Sequence, residues 1–306
     1  MSDRLLRYLV GALAILAAAW GVARFVSGRG GGGESAHFDL ATSAQLALDS
    51  VVVESLDGTV RLRSGDGWTV NGYEAVADAG ESLKRALEQA EIGALVSRNP
   101  ENHERLGVME GKGRRLTVYA GGSEQLSLYI GGRADVFDRA YARRIGDDPV
   151  YTLQGTLVNL ANRGVDDWRS KEILSVVRGD IQRIEFTYPE ESFSLARDSL
   201  TWRIEPVGGA ADENKVASLL SQLATLRAVS FAAQAAADTL AWDPAAARLR
   251  VLGPGASILG DLTFLKREAE VGFFLRRAGS PVVYTISSYT GGEILKREAD
   301  LQVAGG

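Results

Sequence analysis

The 306-residue chain has no cysteine and only two histidines, two methionines and seven prolines. Without cysteine there are no disulfides, no thiolate metal ligands and no cysteine nucleophile. The histidines, His37 and His103, lie far apart. A histidine metal site needs converging side chains at a recognisable spacing, and none is visible, so no metal and no cofactor are expected. A serine nucleophile would need a histidine base, and there is no Gly-x-Ser-x-Gly turn to expose one. Positive charge is also in deficit: 34 Lys and Arg against 39 Asp and Glu leave a net charge of −5. A broad nucleic-acid surface needs a basic face that displaces counterions, so no nucleic-acid partner is expected.

What the chain does have is a repeat. Arg143-Arg144-Ile145-Gly146-Asp147-Asp148-Pro149-Val150-Tyr151-Thr152-Leu153 returns as Arg276-Arg277-Ala278-Gly279-Ser280-Pro281-Val282-Val283-Tyr284-Thr285-Ile286, with six of eleven positions identical. The offset of 133 also relates Val51 to Ile184, Leu62 to Leu195, Leu87 to Leu220, Leu116 to Leu249 and Val118 to Val251, while Trp68 and Trp202 follow with a one-residue slip. A constant offset over about a hundred residues signals a duplicated unit.

Ahead of the repeats, Leu5 to Val26 is the most hydrophobic segment, interrupted only by Arg7 and Arg24 near its ends. It reads as a single transmembrane helix of about 20 residues whose arginines reach the headgroups. A cleaved signal peptide ending at Ala17-Ala18-Ala19 is the alternative, but the segment stays apolar through Trp20 and Phe25-Val26. The expected division is therefore a cytoplasmic tail at 1–4, an anchor at 5–26, a glycine-rich tether at 27–46, and units at 47–175 and 176–306. The location expected from this segment is a cytoplasmic membrane, with the bulk of the chain extracytoplasmic.

Within each unit, short alternating strands precede one amphipathic helix and further strands follow. In the first, Val51/Val53, Val60/Leu62 and Trp68/Val70 alternate, and Asp78 with Glu81 reads as a capping box for a helix with the stripe Leu83, Ala86, Leu87 and Ala90. In the second, Asp212 caps the stripe Val216, Leu219, Leu220, Leu223 and Leu226. Tyr141 to Leu153 and Phe273 to Ile286 read as hairpins. The class expected is α+β: two tandem units of mainly antiparallel sheet plus helices, behind one membrane helix.

The candidate interaction residues are Arg143, Arg276, Trp68 and Trp202. Neighbours on a strand face opposite ways, so one arginine of each Arg-Arg pair can serve a given face, either as an anion contact or as edge-strand charge. The tryptophans serve either as core or as the wall of a ligand pocket. His103 reads as a surface or capping residue, and Asp147-Asp148 and Asp166-Asp167 as turn formers.

Trp68-x-x-Asn71-Gly72-Tyr73, Asn99-Pro100-x-x-His103-x-x-Leu106-Gly107-Val108 and Asp167-Trp168-Arg169-x-Lys171-x-Ile173-Leu174, in this order, resemble an uncharacterised bacterial family of membrane-anchored proteins. That family is commonly encoded beside the permease and ATPase subunits of gliding-type ABC transporters. The resemblance implies that the membrane is bacterial and that transporter subunits are partners, and it carries over no catalytic residue. The function expected is thus a non-enzymatic accessory or scaffold protein of an ABC-type assembly. The alternatives are an envelope hydrolase using a carboxylate pair and a ligand-binding module.

Overall fold

The computed structural model describes residues 40–133, 139–199, 201–267 and 271–303. The expected tail, anchor and most of the tether lie outside these residues. Among the described residues no helix is long and apolar enough to cross a membrane. The chain divides into two compact units between Arg169 and Ser170.

The first unit opens with helix α1 (Leu40–Gln45), which corrects the tether's expected end at residue 46. Leu40 and Ala44, one helical turn apart, are both buried in the first core, so this segment belongs to the fold. Strands β1 (Leu48–Ser55), β2 (Gly58–Arg63), β3 (Thr69–Val70) and β4 (Tyr73–Glu74) follow, then helix α2 (Ala79–Glu88) and strand β5 (Glu91–Ser97). After α3 (Asn102–Leu106) come β6 (Arg114–Ala120), β7 (Ser123–Arg133), β8 (Arg139–Arg144) and β9 (Val150–Gln154), closed by α4 (Thr156–Leu160) and α5 (Val165–Trp168).

The second unit contains β10 (Glu172–Ser175), β11 (Arg183–Thr187), β12 (Ser192–Asp198), β13 (Thr201–Glu205), β14 (Gly209–Ala210), α6 (Glu213–Ala224), β15 (Thr225–Arg227) and β16 (Ser230–Phe231). It ends with α7 (Gln234–Ala237), β17 (Ala247–Leu252), β18 (Ile258–Lys266), β19 (Phe273–Arg277), β20 (Val283–Ile286), α8 (Ser288–Ile294) and α9 (Glu298–Leu301). The expected boundary at 175/176 moves to 169/170 because β10 pairs with β15 and is part of the second unit.

Each unit is built on one nine-stranded, wholly antiparallel sheet. The orders are β4-β3-β2-β1-β6-β7-β8-β9-β5 and β14-β13-β12-β11-β17-β18-β19-β20-β16, which correspond strand for strand. The registers correspond too. Val51 faces Leu62 and Val118, and Ile184 faces Leu195 and Val251. Ala142 faces Tyr151, and Leu275 faces Tyr284. The expected α+β class with antiparallel sheets is what the described residues form.

Strand alternation sorts the two faces of the first sheet. Val51, Val53, Val60, Leu62, Leu116 and Val118 are buried on the face that also receives Leu83, Ala86 and Leu87 of α2. The intervening residues of β1, β2 and β6 point the other way and, Val52 apart, are polar. Part of that second face is covered by the segment 99–113, where Leu106 and Val108 pack with Tyr129 and Val150 into a small core of their own. In the second unit Asp212 caps α6 as expected, its carboxylate accepting from the backbone of Asn214 and Lys215. Asp78 does not cap α2. Its carboxylate accepts from the Ser82 hydroxyl instead, at 2.9 Å.

The β3–β4 hairpin turns on Asn71 and Gly72, both at positive φ (48° and 88°). Such a two-residue turn favours an Asn-Gly pair because both positions are left-handed. The Asn71 side chain also accepts from the Arg61 backbone and donates to the Thr59 carbonyl, tying the turn to β2. Arg169 then bridges to Ala75, and its guanidinium lies 3.9 Å over the Tyr73 ring. Two of the three motifs that carry the family resemblance therefore meet at one place.

Candidate functional site

The uncovered part of the first sheet's polar face holds a shallow depression of about 490 Å³. Its floor comes from three adjacent strands: Arg61 and Arg63 of β2, Ser50, Val52 and Glu54 of β1, and Arg115, Thr117 and Tyr119 of β6. A second hollow of about 480 Å³ shares Arg61 and Arg63 and continues to Thr69, Asn71 and Gly72. Thr117 is buried, and its hydroxyl lies 3.1 Å from that of Ser127 on β7.

Three arginines face one carboxylate here. Arg115 Nε is 3.8 Å from Glu54 Oε2, too far for a hydrogen bond. That Nε is shielded from solvent and has no hydrogen-bond partner. A buried donor left unmade costs about 1–3 kcal/mol. Among the described residues, no ion pair or hydrogen bond is made by the side chains of Arg61 and Arg63.

The corresponding face of the second sheet is internally neutralised. Across it run Glu205, Ser194, Glu185, Arg250 and Asp261, each opposite the next. Arg183 binds Glu205 at 2.8 Å and Glu185 at 3.3 Å, and also donates to the Ser194 hydroxyl at 2.6 Å. Arg250 lies 3.7 Å from Glu185 and 3.5 Å from Asp261. In the first sheet the matching row is Asn71, Arg61, Val52, Thr117 and Ser127. The three carboxylate positions are thus occupied by asparagine, valine and serine.

The residues singled out from sequence have other work. Arg143 donates from Nε to the Val108 carbonyl at 2.8 Å and from Nη1 to the Asp147 carbonyl at 2.7 Å. Arg276 lies 4.5 Å from the Trp242 ring centre. Trp202 is buried in the second core. Trp68 is half-buried against the first core, with Gly80 of α2 pressed directly on its indole. His103, expected as a surface or capping residue, is buried, and its Nε2 meets the Asp148 carbonyl at 2.8 Å. A carbonyl only accepts, so Nε2 carries the proton. Asp166 pairs with Arg169 at 3.1 Å, and Asp167 accepts from the Gly164 backbone.

Two further features escaped the sequence reading. The arginine cluster becomes visible only once β2 and β6 are known to flank β1. Strand β5 is the other. It closes the first sheet, pairs only with β9, and reads Glu-Ile-Gly-Ala-Leu-Val-Ser, with Leu95 and Val96 each 38% exposed. The corresponding strand β16 has two residues. The opposite edges, β4 and β14, are also two residues long, and each is followed by a bridge, Ala75 to Arg169 and Ala211 to Gln302.

Among the described residues, no group of three or more histidines or carboxylates is placed to hold a metal ion. A family model described as "Domain of unknown function (DUF4340)" matches residues 68–250. No curated protein and no solved structure matches the chain.

Proposed function

The chain belongs to the DUF4340 family, a domain of unknown function, and from that premise we propose that it is a membrane-tethered, extracytoplasmic scaffold protein of an ABC-type transport assembly, without catalysis of its own. Its body arose by duplication of one α+β unit; the shared strand order, register and 133-residue offset support this. The apolar run Leu5–Val26 supports the anchor, and the glycines that follow support a flexible tether. The transporter partner rests on the family resemblance of the three motifs.

The observation that carries the scaffold reading is strand β5. The seven-residue edge has no charge between Ile92 and Val96 and, although its register against β9 shifts at two points, no second strand pairs with its outer side among the described residues. Monomeric proteins blunt such edges with charge, proline or brevity, and both units do so at their other edges. An extended partner segment adds to such an edge through main-chain hydrogen bonds, with side-chain contacts choosing the partner. Leu95 and Val96 would provide those contacts.

Topology and partner are tested together. Since the chain lacks cysteine, Ser35→Cys creates a single reporter thiol. The reading expects labelling of intact cells by an impermeant reagent, and co-purification of permease and ATPase subunits after crosslinking. Protection of the thiol, or a native complex without any transport subunit, overturns it.

A further inference from the structure

We infer that the depression between β2, β1 and β6 is a binding site for a small polyanion, a ligand carrying two or more carboxylate or phosphate groups. The second sheet provides the comparison. There, arginines on the same face are satisfied by Glu185, Glu205 and Asp261. In the first sheet those three carboxylates give way to Val52, Asn71 and Ser127, and the two arginines they satisfy to Ser50 and Thr117. Arginines stand instead at new places on the same face, Arg61 for Ser194 and Arg63 for Ala196. Arg61 and Arg63 are left without an anion among the described residues, and Arg115 keeps a buried Nε with no acceptor. An oxyanion entering the depression supplies what the second sheet supplies internally.

Geometry narrows the ligand. Arg61 and Arg63 alternate on one strand, so their Cα atoms lie about 7 Å apart, and Arg115, two strands away in the row of Glu54 and Thr59, lies about 12 Å from Arg61 and about 16 Å from Arg63. A single phosphate does not span these positions, whereas two linked anionic groups do. Guanidinium groups favour carboxylate and phosphate because both accept paired N–H donors. Tyr119 lines the same hollow and offers a neutral hydroxyl beside the charges, while Thr117 in the floor is buried and engaged with Ser127. This site is separate from the β5 edge and does not depend on the scaffold reading.

The test is calorimetric titration of the full chain in non-ionic detergent with tripolyphosphate and, separately, with citrate. At least one should bind, more weakly as salt rises. Tripolyphosphate alone identifies a phosphate ligand, and citrate alone a carboxylate. Arg61→Gln with Arg63→Gln should weaken binding about tenfold or more. Val52→Glu, which gives the first sheet the carboxylate that the second carries at Glu185, should do the same by filling the site from within. Arg183→Gln in the second sheet should leave binding unchanged. Circular dichroism of each variant checks the fold. The inference is overturned if neither anion binds at about millimolar concentration, or if the double arginine variant, still folded, binds as the native chain does.

Discussion

Arg276 stacks on Trp242 at the place in the second sheet where Arg143, 133 residues earlier, reaches the Val108 carbonyl in the first. Arg143 ties the segment 99–113 to its sheet, and Arg276 holds Trp242 of the stretch between α7 and β17. The chemistry differs: Arg143 gives Val108 one charge-assisted hydrogen bond, its second going to Asp147 in its own hairpin, while Arg276 meets Trp242 through a cation–π contact, but the position is the same.

Removing Arg143 should therefore loosen the segment 99–113. Arg143→Ala forfeits bonds to two backbone carbonyls and should cost about 2–3 kcal/mol in denaturant unfolding. Native-state hydrogen exchange should rise first between residues 99 and 113. Arg276→Ala, losing a contact worth about 0.5–2 kcal/mol, should cost less.

Gly80 is a second point of close approach. A Cβ there would sit inside the Trp68 indole, and the ring has the first core behind it. Gly80→Ala should destabilise by about 1–3 kcal/mol through overpacking, although alanine is the better helix former. A melting curve decides the sign, and an increase in Tm would show that Trp68 can move aside.

In the second core, Leu223 of α6 is fully buried. Leu223→Ala should cost about 2–5 kcal/mol. The same change at exposed Leu56 should stay within about 0.5 kcal/mol. Chemical denaturation of both variants measures the difference.

Tyr188 gives the fold an alkaline limit. Burial pushes its hydroxyl well above the ordinary tyrosine range, outweighing the Arg297 guanidinium over its ring, and the hydroxyl donates to the Lys296 carbonyl at 2.7 Å. Above about pH 10 the unfolded chain releases this proton while the folded chain retains it. The unfolded state then binds fewer protons, so stability falls as pH rises. Tyr188→Phe should lose about 1 kcal/mol at neutral pH and show a smaller decline above pH 10. Unfolding midpoints measured from pH 7 to 11 test both parts.

The strands and their correspondence between the two halves of the chain were legible because hydrophobic alternation recurs at a fixed offset. Val51, Leu62 and Val118 meet as Ile184, Leu195 and Val251 do. The equivalence of Arg143 and Arg276 was also legible, but not their task, which depends on segments folding back over the sheet. Helix α1 was hidden behind the glycine run because six residues with three buried positions, one of them Ser43, give little periodic signal. Strand β5 was missed because exposure on both faces removes the alternation by which strands are recognised. The arginine cluster needed a pairing between β1 and β6 that no local pattern encodes. Trp68 and Trp202, alike in sequence, separate in burial.

In the proposed function the chain docks a transport subunit along β5. The most direct test places a photo-crosslinking residue at Val96 in the full chain in native membranes and identifies the adduct by mass spectrometry. The expected result is an adduct with a permease subunit of an ABC-type transporter, abolished when Leu95 is changed to Lys to charge the edge. No adduct with any transport subunit, or one that persists unchanged with the edge charged, would contradict the account.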